Sequence, residues 1–421
     1  MNQKMKKAEW FLVLCGICIF ILGLAVNEYV VAALCFPGAS LTELRRPLRW
    51  MLRVLSIVLM LWAFVTIGWR NRAIIQKLNL LVFSLLLIAP LCTELVLRVS
   101  FQFEGSPTRN PRLYADWYSD DDYWKLHHRW VGLWQPSPNS IHPLLGWSQV
   151  PITTNNPLGL QPMTQKRLAR DGRKKIIFYG DSYVAGRAPP PDEIPQYMDG
   201  KIASADVLHA GVGGFGTGQS YLLFRETYRL VDRPFIIMGV LTHDLDRAVL
   251  SVRTGWKPRF VVDESGELAL TGVPVPSNQE QLFTSAPLDL HSFVLCGMRT
   301  WIRRWGSQGY YPRRQEKAIV NAAILDQIQR ITKTEKLKLL YVVFYTYPAL
   351  RNTQWGERFL KMQLDNRGIP YVDTKPILLE FCEKGERPIM DLYTEDGHHN
   401  AICNHIIGDA IVAHLNGLGY E

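Results

Sequence analysis

The chain has 421 residues, 48% of them apolar, and a formal net charge of +9 at pH 7. That length predicts two or three segments, and that apolar share is enough for a large core. The 47 Lys and Arg are mixed with 38 Asp and Glu, with no long basic run and no RNA- or DNA-binding motif, so no nucleic-acid partner is expected.

Apolar residues concentrate in three segments, 10–35, 54–69 and 78–97. Crossing a bilayer takes about 20 apolar residues in a helix. The first and third segments reach that length. The second is shorter, but Arg53 and Arg70 at its ends can snorkel to the headgroups. Asn27 and Glu28 predict that the first segment ends near Val26 or tilts. Lys4, Lys6 and Lys7 would suit a signal peptide, but no small-residue cleavage site follows and two more apolar segments do. None of the three has the polar face of a core helix. Residues 1–98 are therefore expected to be a retained anchor of about three helices, with the bilayer as partner. With the N-terminus inside, Lys4, Lys6, Lys7, Arg70, Arg72 and Lys77 face the cytoplasm and the downstream domain lies outside. Arg45, Arg46 and Arg49 then fall in the outer loop, against the positive-inside tendency, so sidedness stays open. Of the seven cysteines, only Cys296, Cys382 and Cys403 lie beyond the anchor. They lack metal-ligand spacing, and one disulfide is allowed but not required.

Residues 99–172 read as an irregular neck, rich in Pro, Trp and Asp. The stretch 114–130 carries Asp116, Asp120, Asp121 and Asp122 among many aromatics. A packing layer, a carbohydrate-contacting surface and a metal site with His127 and His128 are the readings it allows. From residue 173 the pattern alternates between strand and helix to the end of the chain. Strands are expected at 174–179, 205–208, 235–241, 337–344 and 370–372. Helices are expected at 219–231, 314–334, 353–366 and 401–415. Such alternation predicts an α/β domain, a three-layer α/β/α sandwich on a parallel sheet, over 173–421. Residues 251–312 interrupt it. Asp263-Glu264-Ser265-Gly266 between 259–262 and 267–270 signals a hairpin, and the insertion is expected to form a lid or substrate rim.

Four blocks in that domain carry chemistry. The apolar run 174–179 ends in Gly180-Asp181-Ser182, which places a serine at the carboxyl end of a strand, where open α/β sheets bind ligands. The second block runs from His209 to Gln219. Its glycines let backbone approach a reacting carbonyl, and Gly211, Gly213 and Gly216 also fit a G-x-G-x-x-G dinucleotide pattern. The third, Thr242-His243-Asp244, follows the 235–241 strand. His243 there is either an oxyanion donor or a loop histidine paired with Asp244 or Asp246. The fourth is Glu395-Asp396-Gly397-His398-His399-Asn400. A serine early and Asp-x-His late supply a nucleophile, a general base and a carboxylate to orient it. A metal held by Asp391, Asp396, His398 and His399 is the other reading of this block. The expected catalytic set is Ser182, Asp396 and His398, with Glu395 and His399 as alternative members.

As an ordered set, these blocks resemble the SGNH/GDSL hydrolase superfamily of esterases, lipases, thioesterases and polysaccharide O-acetyl esterases and transferases. Gly180-Asp181-Ser182 matches the nucleophile block, and His209 to Gly214 resembles the Asn-x-x-x-x-Gly block. Thr242-His243-Asp244 falls where the family has Gly-x-Asn-Asp, and Asp396 to Asn400 resembles its Asp-x-(x)-His-(Pro)-Asn ending, which His398 followed by Asn400 fits best. The resemblance covers about residues 173–418. It implies a flavodoxin-like sheet, chemistry through an acyl-serine, no cofactor and no metal. It also implies an oxyanion hole from the Ser182 and Gly214 N–H groups, with His243 in place of the usual asparagine. The apolar N-terminus, the pair Glu94 and Arg98, the Pro-rich neck and Lys257 to Phe260 are similar to bacterial membrane-anchored members. That likeness implies a plasma (inner) membrane location with an extracytoplasmic or periplasmic domain. The expected substrate is an acylated glycan or lipid, O-acyl groups of an envelope or exported polysaccharide first, with envelope-biosynthesis proteins as possible partners. His209 and His243 depart from the family asparagines. They motivate the alternative of a weakened, non-catalytic binding or assembly protein.

Overall fold

The structure is a computed structural model that describes every residue except 1, 38–40, 69–72, 133–136, 138–139, 171, 187, 308–309, 386 and 421. Arg70 and Arg72 thus lie outside the described residues. The chain falls into two units, Met1–Gly132 with Ala286–Arg313, and Leu133–Ser285 with Arg314–Glu421. The neck and the insertion are each divided between them, so neither is one piece.

The first unit holds the apolar helices. Arg46–Gly68 and Ala73–Ser100 are long and apolar enough to cross a membrane, and Val13–Ala25 with Glu28–Cys35 adds a third candidate bent by 66°. The bend falls where Asn27 and Glu28 were expected to end the segment. Asn27 Oδ1 accepts from the Tyr29 and Val30 N–H groups and so caps a new helix there. Several polar groups in these helices pair with one another, because an unpaired polar group is costly in an apolar surround. Arg53 donates to Glu28 instead of only reaching outward, Ser56 donates to the Gly23 carbonyl, and Asn79 Oδ1 accepts from Trp62 and Thr66.

The Asp-rich stretch is more regular than its sequence suggests. Asp121–Trp130 is a helix in which Asp122 pairs with Lys125 at 3.2 Å. Phe101, Tyr114 and Leu126 form a small core with Leu290 and Phe293, which come from the far end of the insertion. That return explains why residues 286–313 belong to the first unit.

The second unit is built on five parallel strands: β1 (Lys174–Gly180), β2 (Ala205–Gly211), β3 (Phe235–Leu241), β4 (Leu339–Phe344) and β5 (Tyr371–Asp373). Their order across the sheet is β2-β1-β3-β4-β5, the flavodoxin-like order, whose switch point lies between β1 and β3. β2 and β3 are buried along their whole length, as a sheet covered on both faces requires. Helices Ile194–Lys201 and Thr374–Lys384 pack on Ala401–Asn416, and Thr217–Thr227 packs on Arg314–Thr334. Arg259–Val262 and Leu268–Thr271 pair as the expected hairpin. All seven cysteines are free.

Candidate active site

Ser182 begins a one-turn helix, Ser182–Ala185, directly after β1. Asp181 caps it by accepting the Tyr183 N–H at 2.8 Å. Gly180 has to be glycine, because a Cβ there would lie 2.5 Å from Val184 Cγ2 and 2.8 Å from the Gly239 carbonyl. Ser182 Oγ lies 2.9 Å from His398 Nε2 and 3.4 Å from Asp181 Oδ2. Asp396 Oδ1 lies 3.1 Å from His398 Nδ1, within ion-pair reach but off the line of a straight hydrogen bond. That carboxylate favours the Nδ1–H tautomer, which leaves Nε2 to accept the serine proton.

The loop carrying Asp396 and His398 is a tight hairpin. Tyr393 bridges His399, the Thr394 N–H donates to the His398 carbonyl at 2.8 Å, and Gly397 turns at φ +83°. Two residues of spacing therefore suffice to bring carboxylate and imidazole together. Thr394 Oγ1 donates to Asp396 Oδ1 at 2.5 Å. Burial pushes the Asp396 carboxyl up, but hydrogen bonds from Thr394 and His398 and the nearby His398 charge outweigh it and hold it at about 2. The Asp396 side chain is 52% exposed, so water screens this pair. Tyr183 Oη donates to the Gly397 carbonyl at 2.9 Å and ties the histidine loop to the Ser182–Ala185 helix.

The alternative members stand elsewhere. Glu395 is exposed. His399 is buried edge-on against Tyr183, Phe344 and Tyr393. Burial, then the neighbouring His398, hold its imidazole down to about 3, so it packs as a neutral aromatic. Among the described residues no three His, Cys, Asp or Glu side chains converge on a point that could hold a metal.

The glycine block wraps the serine. A Cβ on Gly213 would lie 4.0 Å from Ser182 Cβ. Gly214 has φ +82°, and a Cβ there would lie 2.5 Å from Thr254 Oγ1. Trp147 Nε1 donates to the Gly213 carbonyl at 2.9 Å. Because N–H and C=O point opposite ways across a trans peptide, this bond turns the Gly214 N–H away from Trp147. Gly211 packs on the Val184–Ala185 backbone and Gly216 on Arg247.

Both departures from the family pattern have structural partners. His209 is fully buried, its Nε2 facing the Val184 carbonyl at 3.1 Å and its Nδ1 facing Gln149 Nε2 at 2.8 Å. Burial holds it down to about 4, so it stays neutral as a strut under the nucleophile helix. His243 lies at the end of β3, and its Nε2 meets Gln354 Oε1 at 3.0 Å. Burial lowers its pKa. A neutral imidazole has one N–H, and with the proton on Nε2 that N–H goes to Gln354 Oε1.

Sequence reasoning missed Arg247, Trp147, Gln149 and Thr394. Arg247 Nη1 reaches Asp181 Oδ2 at 3.1 Å, Asp244 Oδ1 at 2.6 Å and the Phe215 carbonyl at 2.7 Å. One guanidinium thus joins the loops after β1, β2 and β3. Its only sequence signal was the i, i+3 pairing with Asp244.

Behind the nucleophile helix, Glu193 is 9% exposed and its Oε2 has no hydrogen-bond partner among the described residues. A Cβ on Gly186, the residue ending that helix, would lie 2.7 Å from Glu193 Cγ. Burial pushes the Glu193 carboxyl from 4.5 up to about 7, against a hydrogen bond with Gln196. The folded state therefore binds a proton that the unfolded state releases between these values. This stabilisation is complete below about pH 4.5 and is lost as pH rises to about 7. The Tm of the full chain in detergent, relative to Glu193→Gln, is expected to fall across that window by the equivalent of ~2 kcal/mol. A pH-independent difference between the two would contradict this.

No protein-family model matches the chain and no curated protein matches it. Among solved structures it is similar to a member of the lipolytic G-D-S-L family from Veillonella parvula, with 10% identity, 57% of this chain and 97% of that one covered and a TM-score of 0.34. It is also similar to a lipase/acylhydrolase from Enterococcus faecalis (13% identity, 58% and 96% covered, TM-score 0.34). A third is a catalytic mutant of an acetylxylan esterase from Geobacillus stearothermophilus (13% identity, 57% and 93% covered, TM-score 0.33). Likeness at this level does not say which reaction the chain performs.

Proposed function

We propose that this chain is a membrane-anchored serine hydrolase or acyltransferase of the SGNH type, with a three-layer α/β/α catalytic domain. The observation that carries the reading is the 2.9 Å approach of His398 Nε2 to Ser182 Oγ, with Asp396 3.1 Å behind Nδ1. Ser182 Oγ attacks an ester carbonyl as His398 takes its proton. The Ser182 and Gly214 N–H groups face the oxyanion. His398 then protonates the leaving oxygen, and water or a second hydroxyl takes the acyl group from the serine. Removing one oxyanion donor typically costs about 10²–10³ in rate, so the Gln354-bound His243 favours a slower enzyme, or a binding protein that keeps the fold, as the second reading.

The apolar helices support membrane anchoring; the membrane proposed is a bacterial plasma (inner) membrane, with the catalytic domain on its extracytoplasmic side. A domain held there meets envelope glycans and lipids, so O-acyl groups of an envelope or exported polysaccharide are the proposed substrate and lipid esters the next. The test is fluorophosphonate labelling of the full chain in detergent. Wild type is expected to label, and His398→Ala to label at least about 10²-fold more slowly for want of its base. No labelling of folded wild type would move the weight to the binding-protein reading.

A further inference from the structure

Helix Phe293–Gly306 has two unlike faces. Phe293, Thr300 and Gly306 are buried, and Cys296 packs on the Phe101 cluster. Leu295, Met298, Trp301 and Trp305 are 67%, 55%, 57% and 64% exposed. At 3.6 residues per turn these four fall in one stripe, and Arg299 and Arg304 flank its two edges.

Both ends of this helix are tied to ends of the apolar helices. At its start, Glu94 accepts from Ser292 Oγ at 2.9 Å and from the Phe293 and Val294 N–H groups at 3.1 and 2.9 Å. Arg98 Nη2 donates to the His291 carbonyl at 2.9 Å. At its finish, the Arg45 N–H donates to the Gly306 carbonyl at 2.8 Å, Arg303 donates to the Cys35 carbonyl, and a Cβ on Gly306 would overlap Leu48. A chain that crosses three times has Cys35, Arg45 and Glu94 near one and the same membrane face. A 14-residue helix is about 21 Å long, so one joining those points runs along that face.

We propose that Phe293–Gly306 is an interfacial helix whose Leu295, Met298, Trp301 and Trp305 stripe sits at the boundary of lipid headgroups and acyl chains. This rests on reading the three apolar helices as spans. The occupant is lipid because the helix is docked through Glu94 and Arg98 on Ala73–Ser100, whose Leu91, Leu95 and Val99 are also exposed and which that reading places against acyl chains. Tryptophan prefers that depth, and arginines beside an apolar stripe reach the phosphates. The Glu94 and Arg98 pair thereby acquires a role, which is to dock this helix.

The test uses the full chain in phosphatidylcholine–phosphatidylglycerol vesicles, with an environment-sensitive fluorescent amino acid replacing Met298, Val58 or Glu264 in turn. Val58 lies midway along Arg46–Gly68 and is 54% exposed, and Glu264 is at the exposed hairpin tip. Lipids carry a nitroxide quencher near the headgroup or near the chain end. The probe at 298 is expected to be quenched about twofold more by the shallow quencher than by the deep one. The probe at 58 should show the reverse, and the probe at 264 reads the second unit separately. An unquenched probe at 298 beside a quenched one at 58 overturns the proposal and leaves the anchor standing, as would happen if a second copy covered the stripe. Equal quenching of the probe at 298 by the shallow and the deep quencher overturns it too. No quenching at 58 removes the spans and the interfacial helix together.

Discussion

Ser182→Ala is expected to lower kcat/KM on any acyl ester that the wild type turns over by about 10⁶-fold, which corresponds to ~8 kcal/mol of transition-state stabilisation. It is expected to leave Tm nearly unchanged. The size follows from the geometry. His398 Nε2 has Ser182 Oγ as its partner at 2.9 Å, so without that oxygen the histidine and Asp396 have nothing to activate. The fold survives because Asp181, not Ser182, caps the helix. Measurement of turnover and melting on the same purified protein checks both halves. A variant that kept wild-type turnover would remove Ser182 from the mechanism. One that lost its biological role without any esterase activity in the wild type would favour a binding surface centred on the same loop.

Arg247→Met should cost folding stability instead, on the order of 3–5 kcal/mol. The guanidinium is 12% exposed and sits between Asp181 and Asp244, which are buried at 0% and 2%. Burial and the Asp181 charge already push the Asp244 carboxyl well up. Without Arg247, two carboxylates face each other with no cation between them, and the Phe215 carbonyl loses its donor. Arg247→Met is therefore expected to lower Tm sharply, and adding Asp244→Asn to recover part of the loss, because the neutral amide removes the repulsion. Urea or thermal unfolding of Arg247→Met, Asp244→Asn and the double variant measures this. If the double variant were as unstable as the sum of its parts, the ion cluster would not be the cause.

Local patterns were legible where they depend on neighbours in sequence. The period-2 and all-apolar runs that end in Gly180, Gly211 and Leu241 became β1, β2 and β3 within three residues of their expected bounds. The hairpin around Asp263 and the helix Arg314–Thr334 were equally direct, since turn chemistry and helical periodicity act over a few residues. The neck was misjudged because helix Asp121–Trp130 draws stability from Leu290 and Phe293, about 160 residues later, and no local signal reports such a partner.

The sequence by itself determined which residue types could do chemistry and at which strand ends they stand: Ser182 after β1, the glycines after β2, Asp396 and His398 late in the chain. It left the register of the last block open among Asp396, His398, Glu395 and His399. Only the tertiary structure sets their different surroundings, packing His399 between Tyr183, Phe344 and Tyr393 and turning His398 out toward Ser182. Burial decided in the same way that His209 is a neutral strut and that His243 is held by Gln354. The reason is physical: a histidine's role depends on which of its nitrogens finds a partner and how much water it keeps. Both are properties of neighbours that sequence distance does not record.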